Sequence, residues 1–189
     1  MASPIAFRRR RLAGLALLPW LAADARADAV AARLPAGACA VLLRHGQTTP
    51  GVGDPSGFRL GDCGTQRNLS DQGRAQARRI GEWFATQRLA PAAVRSSAWC
   101  RCIDTAQLAF GRHDLWSPLN STFEDRALSP AATQALRAAL ERIPAGRFEV
   151  WVTHQVNITA LTGEFVSMGE ALVLDAAARV QGRTRFGAG

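Results

Sequence analysis

Two short apolar runs in this chain end in the same unusual way. "AVLLRHG" runs from Ala40 to Gly46 and delivers Arg44 and His45 at its end. "VWVTHQ" runs from Val150 to Gln155 and delivers His154. Each run is short, apolar and continuous, consistent with a strand buried on both faces. Between them lie segments of helical period. Ser70 can cap a helix to about Arg88, with Ala77, Ile80, Trp83 and Phe84 on one face and Pro91 after its end. Ala93–Ser96 reads as a second strand. Ser97 then opens a helix to Phe110, with Trp99, Cys102, Ile103, Ala106 and Ala109 on one face and Gly111 ending it. Further helices are expected over Ala131–Glu141 and from Asn157 to Leu161, and one or two edge strands over Ala171–Arg185. Strands alternating with helices imply an α/β fold, a three-layer αβα sandwich around a largely parallel sheet.

In such a sheet, ligands bind beyond the carboxyl ends of the strands. His45 and His154 both belong on that edge. Arg101, in the first turn of the helix after the second strand, joins them. Two arginines and two histidines then converge on one point. Guanidinium forks hold phosphate oxygens through charge-assisted bonds, and fixed positive charge supplies most of the catalysis of phosphoryl transfer. A neutral imidazole nitrogen can attack phosphorus and form a phosphohistidine. Arg95, inside the strand, reads instead as a peripheral ion-pair residue, and Trp83 and Trp99 read as core by their helical spacing.

Four stretches, "LLRHGQT", "RNLSDQGRAQA", "SSAWCRCIDTA" and "VTHQ", occur in the order that resembles the histidine phosphatase superfamily, the phosphoglycerate-mutase-like enzymes. The resemblance spans about Val41 to Thr162. It implies an αβα fold, His45 as the phosphorylated nucleophile, and Arg44, Arg101 and His154 around the phosphate. It also implies phosphate binding by Thr48 and a general acid near "NSTFEDRA", where Glu124 is favoured over Asp125. One branch of the family carries an aspartate donor directly after the second histidine; here that position is Gln155. "LNSTF" resembles a bacterial branch proposed to act on lipopolysaccharide core sugar phosphates. The resemblance therefore implies a phosphatase for esters or phosphoamidates, acting on a phosphorylated small molecule, an envelope sugar or a phosphoprotein. It implies no cofactor and no metal, since guanidinium groups carry the charge. The alternative is a non-catalytic envelope protein that binds phosphate with the same pocket.

The chain's 189 residues suit one domain, placed at 30–189. Residues 1–29 read as a secretory leader: Arg8 to Arg11, then an apolar run from Leu12 to Ala23, then Ala27 and Ala29 spaced as A-x-A. That run is short and broken by Pro19, so no stable membrane span is expected once the leader is removed. All 23 basic residues are arginine. The leader holds five arginines against two aspartates, a net +3, which leaves +5 of the chain's +8. A moderate positive charge suits an anionic substrate, and no nucleic-acid partner is expected. A leader places the protein in the periplasm or outside the cell, where disulfides form. Among Cys39, Cys63, Cys100 and Cys102 three pairings are open. Cys63 and Cys100 both belong near the functional edge, Cys102 fits an apolar helix face and Cys39 begins the first strand, so Cys63–Cys100 is the expected bond.

Overall fold

The structure, a computed structural model, describes residues 27–186. Residues 1–26 of the expected leader lie outside the described residues. A helix over 27–33, α1, comes first. It is followed by β1 (Cys39–Arg44), α2 (Asp71–Thr86), β2 (Ala93–Ser96), α3 (Cys100–Phe110), β3 (Asp114–Leu115), α4 (Ser129–Leu140), β4 (Phe148–Thr153), α5 (Gln155–Thr162), β5 (Glu170–Asp175) and β6 (Val180–Arg185).

The six strands form one mixed sheet in the order β3-β2-β4-β1-β5-β6. β1, β2, β3 and β4 are mutually parallel; β5 is antiparallel to both β1 and β6. Only β5 therefore runs against the rest. Alternation along β1 divides the core. Cys39, Val41 and Leu43 face Ile80 and Phe84 of α2, Cys102 and Ala106 of α3, and Val30 of α1. Ala40 and Leu42 face Leu136 and Leu140 of α4 and Ile158 and Leu161 of α5. This is the expected αβα sandwich, with apolar strands covered on both faces.

Two expectations need correction. The tail was read as edge strands, but β5 lies inside the sheet and only β6 is an edge. β5 is fully apolar from Ala171 to Leu174 because both its faces are covered. The helix after β2 starts at Cys100, not Ser97. Ser97 instead continues the strand, its N–H donating to Val152 O at 3.0 Å. Trp99, with extended backbone, therefore precedes the helix and turns toward the sheet edge.

The loop after β1 is anchored by α2. Ser70 caps that helix, its Oγ accepting from Gly73 N at 3.1 Å, as expected. Its own N–H donates to Gln47 O at 3.0 Å. Gly73 lies so close to this loop that a Cβ there would overlap the Gln47 carbonyl oxygen. The "NLSDQG" stretch thus fixes the backbone immediately beyond His45.

Candidate active site

The register of the two central strands builds the site. Arg44 stands opposite Thr153, so the next residues out, His45 and His154, emerge side by side. His45 N–H donates to Thr153 O at 3.1 Å and continues the ladder. The two ring centroids are 5.4 Å apart, and both side chains are buried.

The hydrogen bonds define which nitrogen of His45 is free. Nδ1 lies 2.9 Å from Gly46 O. A carbonyl only accepts, so Nδ1 carries the proton, and in the neutral ring the lone pair is on Nε2. Burial, followed by the charges of Arg101, Arg44 and Arg67, outweighs the Gly46 bond and takes the His45 pKa down to about 3. His45 is neutral at physiological pH. Burial also holds His154 well below the ordinary value, assisted by His45 and the same three arginines. His154 Nε2 shares a 2.8 Å bond with Ser97 Oγ and lies 3.4 Å from Cys102 Sγ.

The "SSAWCRCIDTA" stretch now has a residue-by-residue explanation. Ser97 holds His154. Arg101, from the first turn of α3, reaches the edge. Thr105 Oγ1 donates to Arg101 O at 2.6 Å and accepts from Gly46 N at 3.0 Å, which ties the helix to the loop after His45.

Three guanidinium groups surround the histidines. Arg44 Nη1 donates to Val166 O at 2.7 Å, and its side chain sits beside Gln155. Arg101 is buried and forks onto the buried carboxylate of Asp54, with Nη1 at 2.8 Å from Oδ1 and Nη2 at 3.1 Å from Oδ2. Arg67 completes the set. It donates through Nε to Gly53 O at 2.7 Å and through Nη1 to Thr48 Oγ1 at 2.6 Å. The Nε groups of Arg44 and Arg101 are buried with no hydrogen-bond partner among the described residues. A buried N–H of a cation without an acceptor is costly. Both residues line one cavity together with Arg67, and the combined positive charge of the three suits an oxyanion.

That cavity measures about 330 Å³, within the usual range for small-ligand sites. Arg44, His45, Arg67, Arg101 and His154 line it, with Asp54, Trp99, Glu124 and Gln155 among its other walls. The expected set of Arg44, His45, Arg101 and His154 is thus brought together, and Glu124 stands at the same cavity. Asp125 is otherwise engaged: its carboxylate caps a short turn by accepting from Ala127 N at 3.0 Å. Thr48 does not line the cavity; its hydroxyl supports Arg67 instead. Gln155 has both ends occupied. Its Oε1 accepts from Val166 N, and its Nε2 donates to Thr159 Oγ1 and Glu164 O.

Sequence reasoning missed Arg67, Asp54 and the role of Trp99. Trp99 was read as core, yet it stacks edge-on against His154, with centroids 5.4 Å apart, and donates through Nε1 to Asp54 at 2.9 Å. Burial pushes the Asp54 pKa up, but bonds from Arg101, the Arg67 N–H and Trp99 outweigh it and hold the carboxyl below its ordinary value. Arg67 directly precedes "NLS", which was the one available signal for it. Arg95 is peripheral as expected, with Nε 2.9 Å from Glu149 and its guanidinium over Trp116.

The expected disulfide is present: Cys63 is bonded to Cys100, with Cα atoms 5.7 Å apart. It joins the long loop after β1 to the residue before Arg101. Cys39 and Cys102 are free and buried. Burial pushes the Cys102 thiol up to about 12.

This fold and this site resemble those of the histidine phosphatases. Residues 40–128, just under half of the chain, match the family described as the histidine phosphatase superfamily, branch 1. Among curated proteins it is similar to the 2,3-bisphosphoglycerate-dependent phosphoglycerate mutase of Mycobacterium leprae, 33% identical over 114 residues. That alignment covers 59% of this chain and 44% of the mutase, so the chain spans under half the length of the curated relative. Among solved structures it is similar to a candidate phosphohistidine phosphatase, SixA, from Agrobacterium tumefaciens. The TM-score is 0.54 at 21% identity, covering 79% of this chain and 98% of the other. The protein histidine phosphatase SixA complexed with tungstate gives a TM-score of 0.50 at 16% identity, covering 78% and 96%. At these identities the structural likeness speaks for the fold.

Proposed function

We propose that the protein is a phosphatase that hydrolyses phosphate esters or phosphoamidates through a phosphohistidine on His45. The observation that carries this reading is the His45 Nδ1–H bond to Gly46 O, which leaves an Nε2 lone pair in a ring kept neutral by burial. In the first step Nε2 attacks phosphorus, the P–N bond forms and the bond to the leaving group breaks. Arg44, Arg67 and Arg101 hold the phosphoryl oxygens. Glu124 protonates the leaving group. Water then attacks phosphorus, giving a proton to the Glu124 carboxylate, the P–N bond breaks, and His45 and Glu124 are restored as phosphate leaves. His154, held by Ser97, contributes a second neutral imidazole beside the transferring group.

The protein is read as exported. The basic and apolar pattern of residues 1–29 supports this, as does a disulfide at the functional edge.

Incubation with an aryl phosphate tests the reading. Phosphate release by the unmutated protein, abolished in His45→Ala, is the expected result. No release across acidic to neutral pH would favour a protein that only binds phosphate, and equal release by both would refute a histidine mechanism.

A further inference from the structure

The mouth of the cavity differs in character from its floor. The three arginines, both histidines and Asp54 are the ionic and titratable groups of the floor; beyond them the only ionisable side chain lining the cavity among the described residues is Glu124. Among the residues that line the cavity, a second anionic group on a ligand would meet no further cation and would face a carboxylate. The mouth is instead apolar. Val52 and Phe123 line it at 91% and 43% exposure, and Phe165, 68% exposed, lies with its ring 5.5 Å from the Arg44 guanidinium. Seven large hydrophobic side chains are exposed among the described residues, and two of them, Val52 and Phe123, line this cavity. Scattered exposed hydrophobics need no explanation, but a group beside a pocket marks a binding surface.

The placement is built rather than incidental. Arg67 donates to Gly51 O and Gly53 O, on either side of Val52, so the turn is pinned with Val52 directed outward. Gly53 faces the opposite loop: a Cβ there would lie 3.6 Å from both Phe123 Cε1 and Glu124 Oε1. The same arginine that faces the oxyanion thus presents the apolar lip.

We infer that the phosphoryl donor for this site has a leaving group that is uncharged and carries an apolar face, of the aryl or alkyl kind, seated against Val52 and Phe123. This inference rests on the phosphatase reading and deepens it. Phosphoglycerates, which carry a carboxylate beside their phosphate, fall outside the class.

Non-hydrolysable phosphonates test it by binding alone. Calorimetry with the whole protein compares phenylphosphonate, methylphosphonate and phosphonoacetate. Phenylphosphonate is expected to bind about tenfold more tightly than methylphosphonate, which corresponds to burial of a modest apolar area. Phosphonoacetate, with its extra carboxylate, is expected to bind no better than methylphosphonate. In the double variant Val52→Ser, Phe123→Ser the phenyl-to-methyl ratio falls toward one. Equal binding of the phenyl and methyl compounds, a ratio unmoved by the double variant, or tightest binding of phosphonoacetate would overturn the inference. A retained phenyl preference in a protein that releases no phosphate from any ester would count against the phosphatase reading and leave the ligand class standing.

Discussion

Asp54 and Arg101 meet as a buried fork in which the carboxylate takes the two terminal nitrogens of the guanidinium. Asp54 is therefore a positioning residue: it fixes the orientation of the Arg101 guanidinium in the cavity wall. It also offsets one of three clustered positive charges. Asp54→Asn is expected to lower stability by about 1.5–3 kcal/mol and kcat/KM by about tenfold or more. Urea unfolding and steady-state kinetics check this. The carboxylate of Asp54→Glu should restore part of the kcat/KM loss, an effect that a purely space-filling role would not give.

Gly73 supplies a test with an unusual sign. Gly→Ala inside a helix ordinarily stabilises by up to about 1 kcal/mol. Here the added Cβ meets the Gln47 carbonyl, so Gly73→Ala should destabilise and should displace the backbone beyond His45. A fall in both the unfolding midpoint and turnover is expected; a stabilised, fully active variant would contradict the packing described.

The histidines set the response to acid. His45 has a folded pKa of about 3 against an ordinary value of 6.5, and His154 shifts in the same direction. Between those values the unfolded chain binds more protons than the folded one. Stability is therefore fully present above about pH 6.5 and declines as pH falls toward 3, by up to about 1.4 kcal/mol per pH unit for each histidine. His45→Asn should make the slope of the unfolding midpoint against pH shallower. The acid limb of activity should lie well below pH 6.5, because the nucleophile stays neutral there.

The Cys63–Cys100 bond closes a loop of 37 residues onto the start of α3. Reduction should lower stability by about 2–4 kcal/mol. It should also reduce activity, since it frees the loop that carries Asp54 and Arg67. Thermal unfolding and phosphate release with and without a reductant measure both effects.

The parts of this molecule legible in its sequence are those with a period or a motif. β1 and β4 are continuous apolar runs, and the histidines at their ends follow from strand direction alone. α2 declares its cap at Ser70 and its buried face at Ala77, Ile80 and Phe84. β5 was misplaced because an apolar run does not say which neighbours cover it. Asp54 and Arg67 lie in a Gly-rich loop without periodicity, and their roles arise only when that loop folds onto α3. Trp99 fitted a helical face by spacing, yet the helix begins one residue later and the indole turns to the site. Gln155 was read by what it lacked; the structure shows it bracing Arg44 and Val166.

The central claim is that His45 carries the phosphoryl group. Rapid quenching during turnover of a labelled aryl phosphate, followed by peptide mapping under alkaline conditions, tests it most directly. The account predicts one acid-labile, alkali-stable phosphoryl group on the peptide containing His45, absent from His45→Asn and formed at the rate of turnover or faster. Turnover with no label on that peptide, or label of equal yield in His45→Asn, would contradict it.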